Sequence, residues 1–224
     1  MSIEALLLSL RLAATVSAIL LLFSLPLAYW LAFTSWRGKF LIESVVALPL
    51  VLPPTVLGFY ALIAMGPRGA LGKLWMWSFG HSLAFTFAGL VLASMLYSLP
   101  FATQPLVASF ESLDRRLLDA SSVLGASRTR AFFRIILPLA WPGVITAIVL
   151  SFAHTLGEFG VVLMVGGNLP GITRTISIDI YDRVQALDYT GAHQTALFLL
   201  LISFVVLSLV YGLNRRIWSL WPKR

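Results

Sequence analysis

With 59% apolar and only 11% charged side chains over 224 residues, the chain is too poor in charge for a soluble domain, where about 25% of residues are charged, and it has room for five or six membrane helices and little else. The absence of cysteine excludes disulfides, thiol catalysis and cysteine-ligated metal. The formal net charge of +7 fits basic residues gathered on the cytoplasmic side of a membrane better than a nucleic-acid surface. At the N-terminus Glu4 precedes a long apolar run with no basic segment before it, which does not match a secretory signal.

Residues 12–33 carry no charge; at about 1.5 Å per residue they reach roughly 33 Å, enough to cross a hydrocarbon core of about 30 Å. Further spans are expected at 40–65, interrupted only by Glu43, at 82–110, at 135–157 and at 189–214. Residues 159–173 are also uncharged, but the stretch is short and glycine-rich, which suits a re-entrant or interfacial segment. The expected fold class is therefore an all-α integral membrane protein with about five transmembrane helices, at most six. No stretch reads as a separate soluble unit, so residues 1–224 are expected to form one transmembrane domain.

Five crossings put the two ends on opposite sides. With the N-terminus outside, the inner segments hold Arg37, Lys39, Arg115, Arg116, Arg128, Arg130, Arg134, Arg215, Arg216, Lys223 and Arg224, against Arg11, Arg68, Lys73, Arg174 and Arg183 outside. The positive-inside rule selects N-out, C-in. Trp30, Trp36, Trp75, Trp77, Trp141, Trp218 and Trp221 fall mostly near span ends, as indole rings do in any membrane protein.

Between the third and fourth spans lies a polar, basic segment, about 111–136. Asp114 is suited to cap a short helix over 117–124. Gly125 can then adopt a backbone conformation that ends the helix and turns the chain. A second basic helical stretch, 127–136, leads back to the membrane at Pro138. A helix–Gly–helix element anchored at both ends can transmit force, whereas a floppy loop cannot.

Other residues stand out in or near the spans. Pro49, Pro53 and Pro54 remove helix hydrogen bonds and must bend or break the second span; a kinked packing helix and a pore-lining gate both fit. Glu158, between Gly157 and Gly160, is expected near the outer interface, where a charge costs little. It would repel an anion, so it suits a gate or packing role. His154 lies four residues earlier on the same helical face; an intrahelical hydrogen bond accounts for the pair better than a metal site with two ligands. Thr173, Arg174 and Thr175 offer hydroxyls and a positive charge to an oxyanion in transit, or belong to an outer loop. Ile176, Ile180, Val184 and Leu187, opposite Asp179, Asp182 and Arg183, describe a short amphipathic outer helix. It serves as a docking platform or as ordinary interfacial packing.

Some chemistry is not encoded. The nearest approach to a phosphate loop, Gly66 to Lys73, has Leu74 where a hydroxyl is required, so the chain is not expected to bind or hydrolyse ATP. No Ser-His-Asp grouping, zinc-helix pattern or paired catalytic residues within the spans suggest an enzyme. An ATPase-independent secondary carrier would be supported by inverted repeats, and no convincing repeat is found.

Asp119-Ala120-Ser121, three residues, Gly125, nine residues and Ile135-x-Leu137-Pro138 resemble the coupling motif of ABC importer permeases, Glu-Ala-Ala, three residues, Gly, nine residues, Ile-x-Leu-Pro. Asp119 keeps the charge on a shorter arm, and Ser121 replaces a second alanine. The stretches Leu48-Pro49-Leu50-Val51-Leu52-Pro53-Pro54-Thr55-Val56-Leu57-Gly58, Leu156-Gly157-Glu158-Phe159-Gly160 and Gly166-Gly167-Asn168-Leu169-Pro170-Gly171, then Thr173-Arg174-Thr175, resemble the molybdate and sulfate branch of that family, the molybdate permeases most. The resemblance implies a pore-forming permease that moves molybdate across the bacterial inner membrane as a homodimer, with tungstate or sulfate as the alternative cargo. Two copies of a separate ATPase would carry ATP and magnesium, a periplasmic oxyanion-binding protein would deliver the anion, and this chain would bind no cofactor and no nucleic acid. It further implies that Ala120, Ser121 and Gly125 form the close-packed docking surface; Arg128 and Arg130 beside them are candidates to pair with acids of the ATPase.

Overall fold

The computed structural model describes residues 2–219, and no strand occurs among them. Lys223, Arg224 and Trp221 lie outside the described residues, as do the side chains of Arg115, Arg215, Arg216 and Trp218. Three helices form the centre: α1 (Ile3–Phe33), α5 (Phe87–Glu111) and α9 (Trp141–Gly157). On α1, Leu12, Val16 and Leu20 are buried with Leu90, Val91 and Ala102 of α5 and Val162 of the following short helix. Small residues sit at helical spacing on the same face: Ser9, Ala13, Ser17, Ser24 and Ala28 are all buried. Small side chains let helix backbones approach closely where water supplies no driving force. Buried hydroxyls then join elements directly: Thr103 donates to Ser24 at 3.0 Å, and the Ile176 amide donates to Ser9 at 2.8 Å. At Gly143 a Cβ would collide with Ser109, so glycine permits the α5–α9 approach.

α1 begins nine residues before the predicted apolar run. Ser2 caps it by accepting from the Ala5 amide at 3.2 Å. Arg11 is accommodated by placing its guanidinium 4.5 Å above the Phe87 ring. α5 starts later than the predicted residue 82, because Phe85 takes a positive φ of 63° and Thr86 caps the helix, accepting from Gly89 at 3.1 Å.

The expected straight span at 40–65 is broken. α2 (Lys39–Val51) and α3 (Pro54–Met65) meet at an angle of 112°. The cause is local: a residue before proline is pushed out of the helical region, and both Leu52 (ψ 138°) and Pro53 (ψ 137°) are extended. Pro54 then occupies the first turn of α3, where its missing N–H costs nothing. The span expected at 135–157 is also bent. A helical segment, α7 (Arg128–Ala131) followed by the π-helical turn Phe132–Ile136 and α8 (Leu137–Leu139), meets α9 at 72°.

α4 (Ala70–Phe79) has no counterpart among the expected elements. It ends at Gly80 (φ 76°) and exposes Leu71, Leu74, Trp77 and Phe79, the character of an interfacial helix. α10 (Gly160–Gly166) has seven residues, about 10 Å, so the 159–173 stretch does not cross. α11 (Ile176–Gln185) does not present the expected stripe. Ile176, Ile178 and Asp179 are buried, while Val184 and Leu187 are exposed, and Leu187 lies beyond the helix with φ 61°. Asp179 turns inward because Arg183 binds it at 3.0 Å. Arg183 also reaches Asp188 at 3.0 Å. The Gly191 amide and then Arg183 hold the exposed Asp188 carboxyl below its ordinary pKa. The last helix, α12 (Tyr189–Ser219), is long and largely exposed over its first twenty residues, Tyr189–Ser208. Among the described residues, three helices are long and apolar enough to cross a membrane unbroken, or up to five spans when each bent pair counts as one.

Candidate functional site

Two regions hold the singled-out residues. The first is the segment between α5 and α9. Asp114 caps α6 (Arg115–Val123) by accepting from the Arg116 amide at 2.9 Å. Gly125 has φ 77°, a region that favours glycine, and its amide closes the turn onto Ser122. Ser127 caps α7 by accepting from the Arg130 amide at 3.3 Å. Asp119, Ala120, Gly125, Arg128, Arg130 and Pro138 are exposed. Ser121 is not: it is buried, and its hydroxyl donates to the Leu118 carbonyl at 2.8 Å. The expected docking trio therefore splits, with Ser121 facing the bundle. In its place the structure exposes Val123 (87%) and Leu124 (86%). Two bare apolar side chains at the tip of a polar turn are the clearest contact surface in this segment. The signal was present in the sequence as an apolar pair inside a basic stretch.

The segment is tied to the bundle by aromatic rings. Phe132 packs edge-on against Tyr29 of α1, with centroids 5.3 Å apart, and against Phe110 of α5 at 6.3 Å. Tyr29 and Phe110 also meet, at 6.4 Å. A displacement at α6–α7 is thus passed to two of the three central helices through packed rings, which are not freely deformable.

The second region surrounds the end of α9. Glu158 is 3% exposed, which corrects the expectation of a cheaply solvated charge. Its Oε2 accepts from Ser94 at 2.5 Å and its Oε1 from Ser98 at 2.7 Å. Ser98 also lies 2.9 Å from both His154 Nδ1 and Thr155 Oγ1. The direct His154–Glu158 approach is 3.4 Å, so the pair is bridged by Ser98 as well as joined within the helix. The His154 ring stacks on Phe101, with centroids 3.9 Å apart. Among the described residues no group of three ligating side chains could hold a metal.

Two cavities flank this cluster. One, of about 340 Å³, lies against Pro49, Pro53, Pro54, Phe101 and His154. The other, of about 610 Å³, lies against Pro54, Thr55, His154, Glu158 and Gly160. The helix break and the buried acid, distant in sequence, thus adjoin one space, and the close contact of Gly160 with Pro54 ties them together. Ser94, Ser98, Tyr97 and Phe101, which complete this site, were missed: serines and aromatics on an apolar helix give no local hint of which face they occupy.

Thr173, Arg174 and Thr175 do not line either cavity. The buried Thr173 hydroxyl donates to the Gly166 carbonyl at 2.7 Å. Arg174 donates to Asn168 at 2.6 Å and lies 3.4 Å from Asp182. Thr175 precedes α11, with its hydroxyl buried and unpartnered. These residues brace the turn between α10 and α11.

Residues 24–219 match the family described as the binding-protein-dependent transport system inner membrane component. The chain is 52% identical over 208 residues, 93% of this chain and 92% of the relative, to the molybdenum transport system permease protein ModB of Azotobacter vinelandii. It is 42% identical over 217 residues, 93% of each, to the ModB of Haemophilus influenzae. Its fold is shared with the MetNI methionine ABC transporter in an inward-facing conformation, at TM-score 0.75 and 14% identity over 96% of this chain and 95% of that one. A bacterial alginate ABC transporter bound to its periplasmic protein gives TM-score 0.76 and 18% identity, over 96% of this chain and 78% of that one. The motif spacing, the helical bundle and these likenesses agree: the chain belongs to the binding-protein-dependent transport system inner membrane component family, as a multi-pass transport protein of the inner membrane.

Proposed function

We propose that this chain is the permease subunit of an ABC importer that carries molybdate, working as a homodimer with two ATPase subunits inside and a periplasmic oxyanion-binding protein outside. The 52% identity to a molybdenum permease over nearly the whole of both chains carries this reading. One domain spans the bilayer five times, with the N-terminus outside and the C-terminus inside, when α2–α3 and α7–α9 are each taken as one bent span. This arrangement places α6 in the cytoplasm and α7 at the cytoplasmic end of the fourth span.

There Val123 and Leu124 dock on the ATPase, beside Asp119, Ala120 and Gly125, and Arg130 pairs with an acid of that subunit. Ser121 acts behind the surface, in holding the element to the bundle, and the exposed Pro138 marks the return of the chain to the membrane. ATP and magnesium stay on the partner; this chain binds no cofactor and performs no chemistry. ATP binding favours one arrangement of the ATPase pair, and its differential affinity shifts the permease between inward- and outward-facing states. The Pro49–Pro54 break and the Glu158 cluster form the moving gate, since a discontinuous helix beside a cavity can repack without tearing backbone hydrogen bonds. Both carboxylate oxygens of Glu158 are engaged by serine hydroxyls, so its role is to hold helices, not the anion. Thr173, Arg174 and Thr175 shape the outer turn that receives the binding protein.

A sulfate reading also has support, in 32% identity to a probable sulfate permease of Chlorella vulgaris over 93% of this chain. Proteoliposomes holding permease, ATPase and binding protein decide between them. Labelled molybdate should accumulate with ATP and be displaced poorly by sulfate; preferential sulfate uptake would overturn the substrate assignment.

A further inference from the structure

A cavity of about 890 Å³ lies between the second half of α1 and the α6–α8 segment. One wall is Leu25, Tyr29 and Phe33; the facing wall is Phe132, Phe133 and Leu137. Leu22, Trp30 and Phe133 in its lining are exposed, so the groove is continuous with the exposed apolar surface of α1. Its polar end is formed by Ser122, Arg128 and Thr129. Arg128, Arg130 and Arg134 are crowded on this element, and none is ion-paired among the described residues. Trp30 and Trp36 lie 6.0 Å apart at the end of α1, the level at which indoles mark the headgroup zone.

We infer that this groove is a binding site for an anionic phospholipid: an acyl chain lies between α1 and Phe132–Phe133, and the phosphate is held by Arg128 and the Thr129 hydroxyl. An apolar slot open to the bilayer with unpaired cations at one end matches that ligand and no soluble one. A guanidinium gives charge-assisted, bidentate hydrogen bonds to a phosphate. The inference separates the two arginines: Arg128 lines the groove, whereas Arg130 does not and stays free for the ATPase. It also makes the lipid a wedge beside the Tyr29–Phe132 contact through which the coupling segment reaches α1. Only the choice of the cytoplasmic leaflet rests on the orientation proposed above.

The test uses the purified full chain in mixed micelles with equal phosphatidylglycerol and phosphatidylcholine, read by native mass spectrometry. The wild-type chain should retain phosphatidylglycerol about fivefold over phosphatidylcholine, the effect of one basic group near the phosphate. Arg128→Gln should make retention equal, Arg130→Gln should leave the preference in place, and Ala126→Trp, which fills the groove, should lose bound lipid of both kinds. Equal retention of the two lipids by the wild type, or a preference that survives Arg128→Gln, would overturn the inference. So would a photo-crosslinker at position 126 that captures a second copy of the chain in place of lipid. None of these readouts depends on transport or on which cargo is carried.

Discussion

Replacing Val123 and Leu124 together by aspartate should abolish ATP-driven uptake while leaving the permease folded. Both side chains stand almost wholly in solvent, 87% and 86% exposed, so the folded chain loses little when they change. On docking they would be covered, and covering an aliphatic side chain of this size contributes about 1.5–3 kcal/mol. Losing two such anchors, and burying two carboxylates in their place, weakens the permease–ATPase complex by at least about a hundredfold. Co-purification with the ATPase and thermal unfolding, measured side by side, check this. An intact complex would show that the apolar tip is not the contact, and a lowered melting temperature would show that it belongs to the fold. Ser121, by contrast, is buried, so a larger residue there should disturb packing first.

Glu158→Ala should be the most damaging single change in the gate. It strands the fully buried hydroxyl of Ser94, whereas Ser98 keeps His154 and Thr155 as partners, and an unsatisfied buried polar group costs about 1–3 kcal/mol. The expected loss is about 1–3 kcal/mol, with Glu158→Gln in between because its amide keeps one acceptor oxygen. Thermal unfolding in detergent measures both. The replacement should also impair uptake, since Ser94 and Ser98 belong to α5 and Glu158 ends α9, and the carboxylate is what fastens the two beside the helix break. A neutral Glu158→Ala would remove the tie and leave the adjoining cavities without a latch.

The parts of this molecule that follow from local rules could be read from residue order. Uncharged runs of more than twenty residues give spans, Asp114 and Gly125 mark the ends of α6, and three prolines require a break in residues 40–65. What could not be read depends on neighbours from elsewhere in the chain. Proline fixes that a helix breaks, but not that the pieces meet at 112°; that angle is set by the packing of α2 on α5 and of α3 on α10. Glu158 ends its helix where length arithmetic puts the interface, but Ser94 and Ser98 come from α5 and convert an exposed charge into a buried one. α4 escaped notice because Lys73 and the glycines around it interrupt the apolar run, although an interfacial helix tolerates both. On α11 the expected stripe placed Asp179 in solvent; Arg183 neutralises it one turn away and lets the other face turn inward. The Asp119–Pro138 stretch could be read as a helix–Gly–helix element, yet which of its side chains face outward is a property of the folded turn.

The central claim is that the α6–α7 turn lies in the cytoplasm and is seized there by the ATPase. The chain contains no cysteine, so Leu124→Cys creates a single thiol at an exposed position. A membrane-impermeant maleimide should label it in inside-out vesicles and not in right-side-out ones, and adding the ATPase subunit should suppress the labelling. Labelling from the external face, or labelling that the ATPase leaves unchanged, would contradict the account.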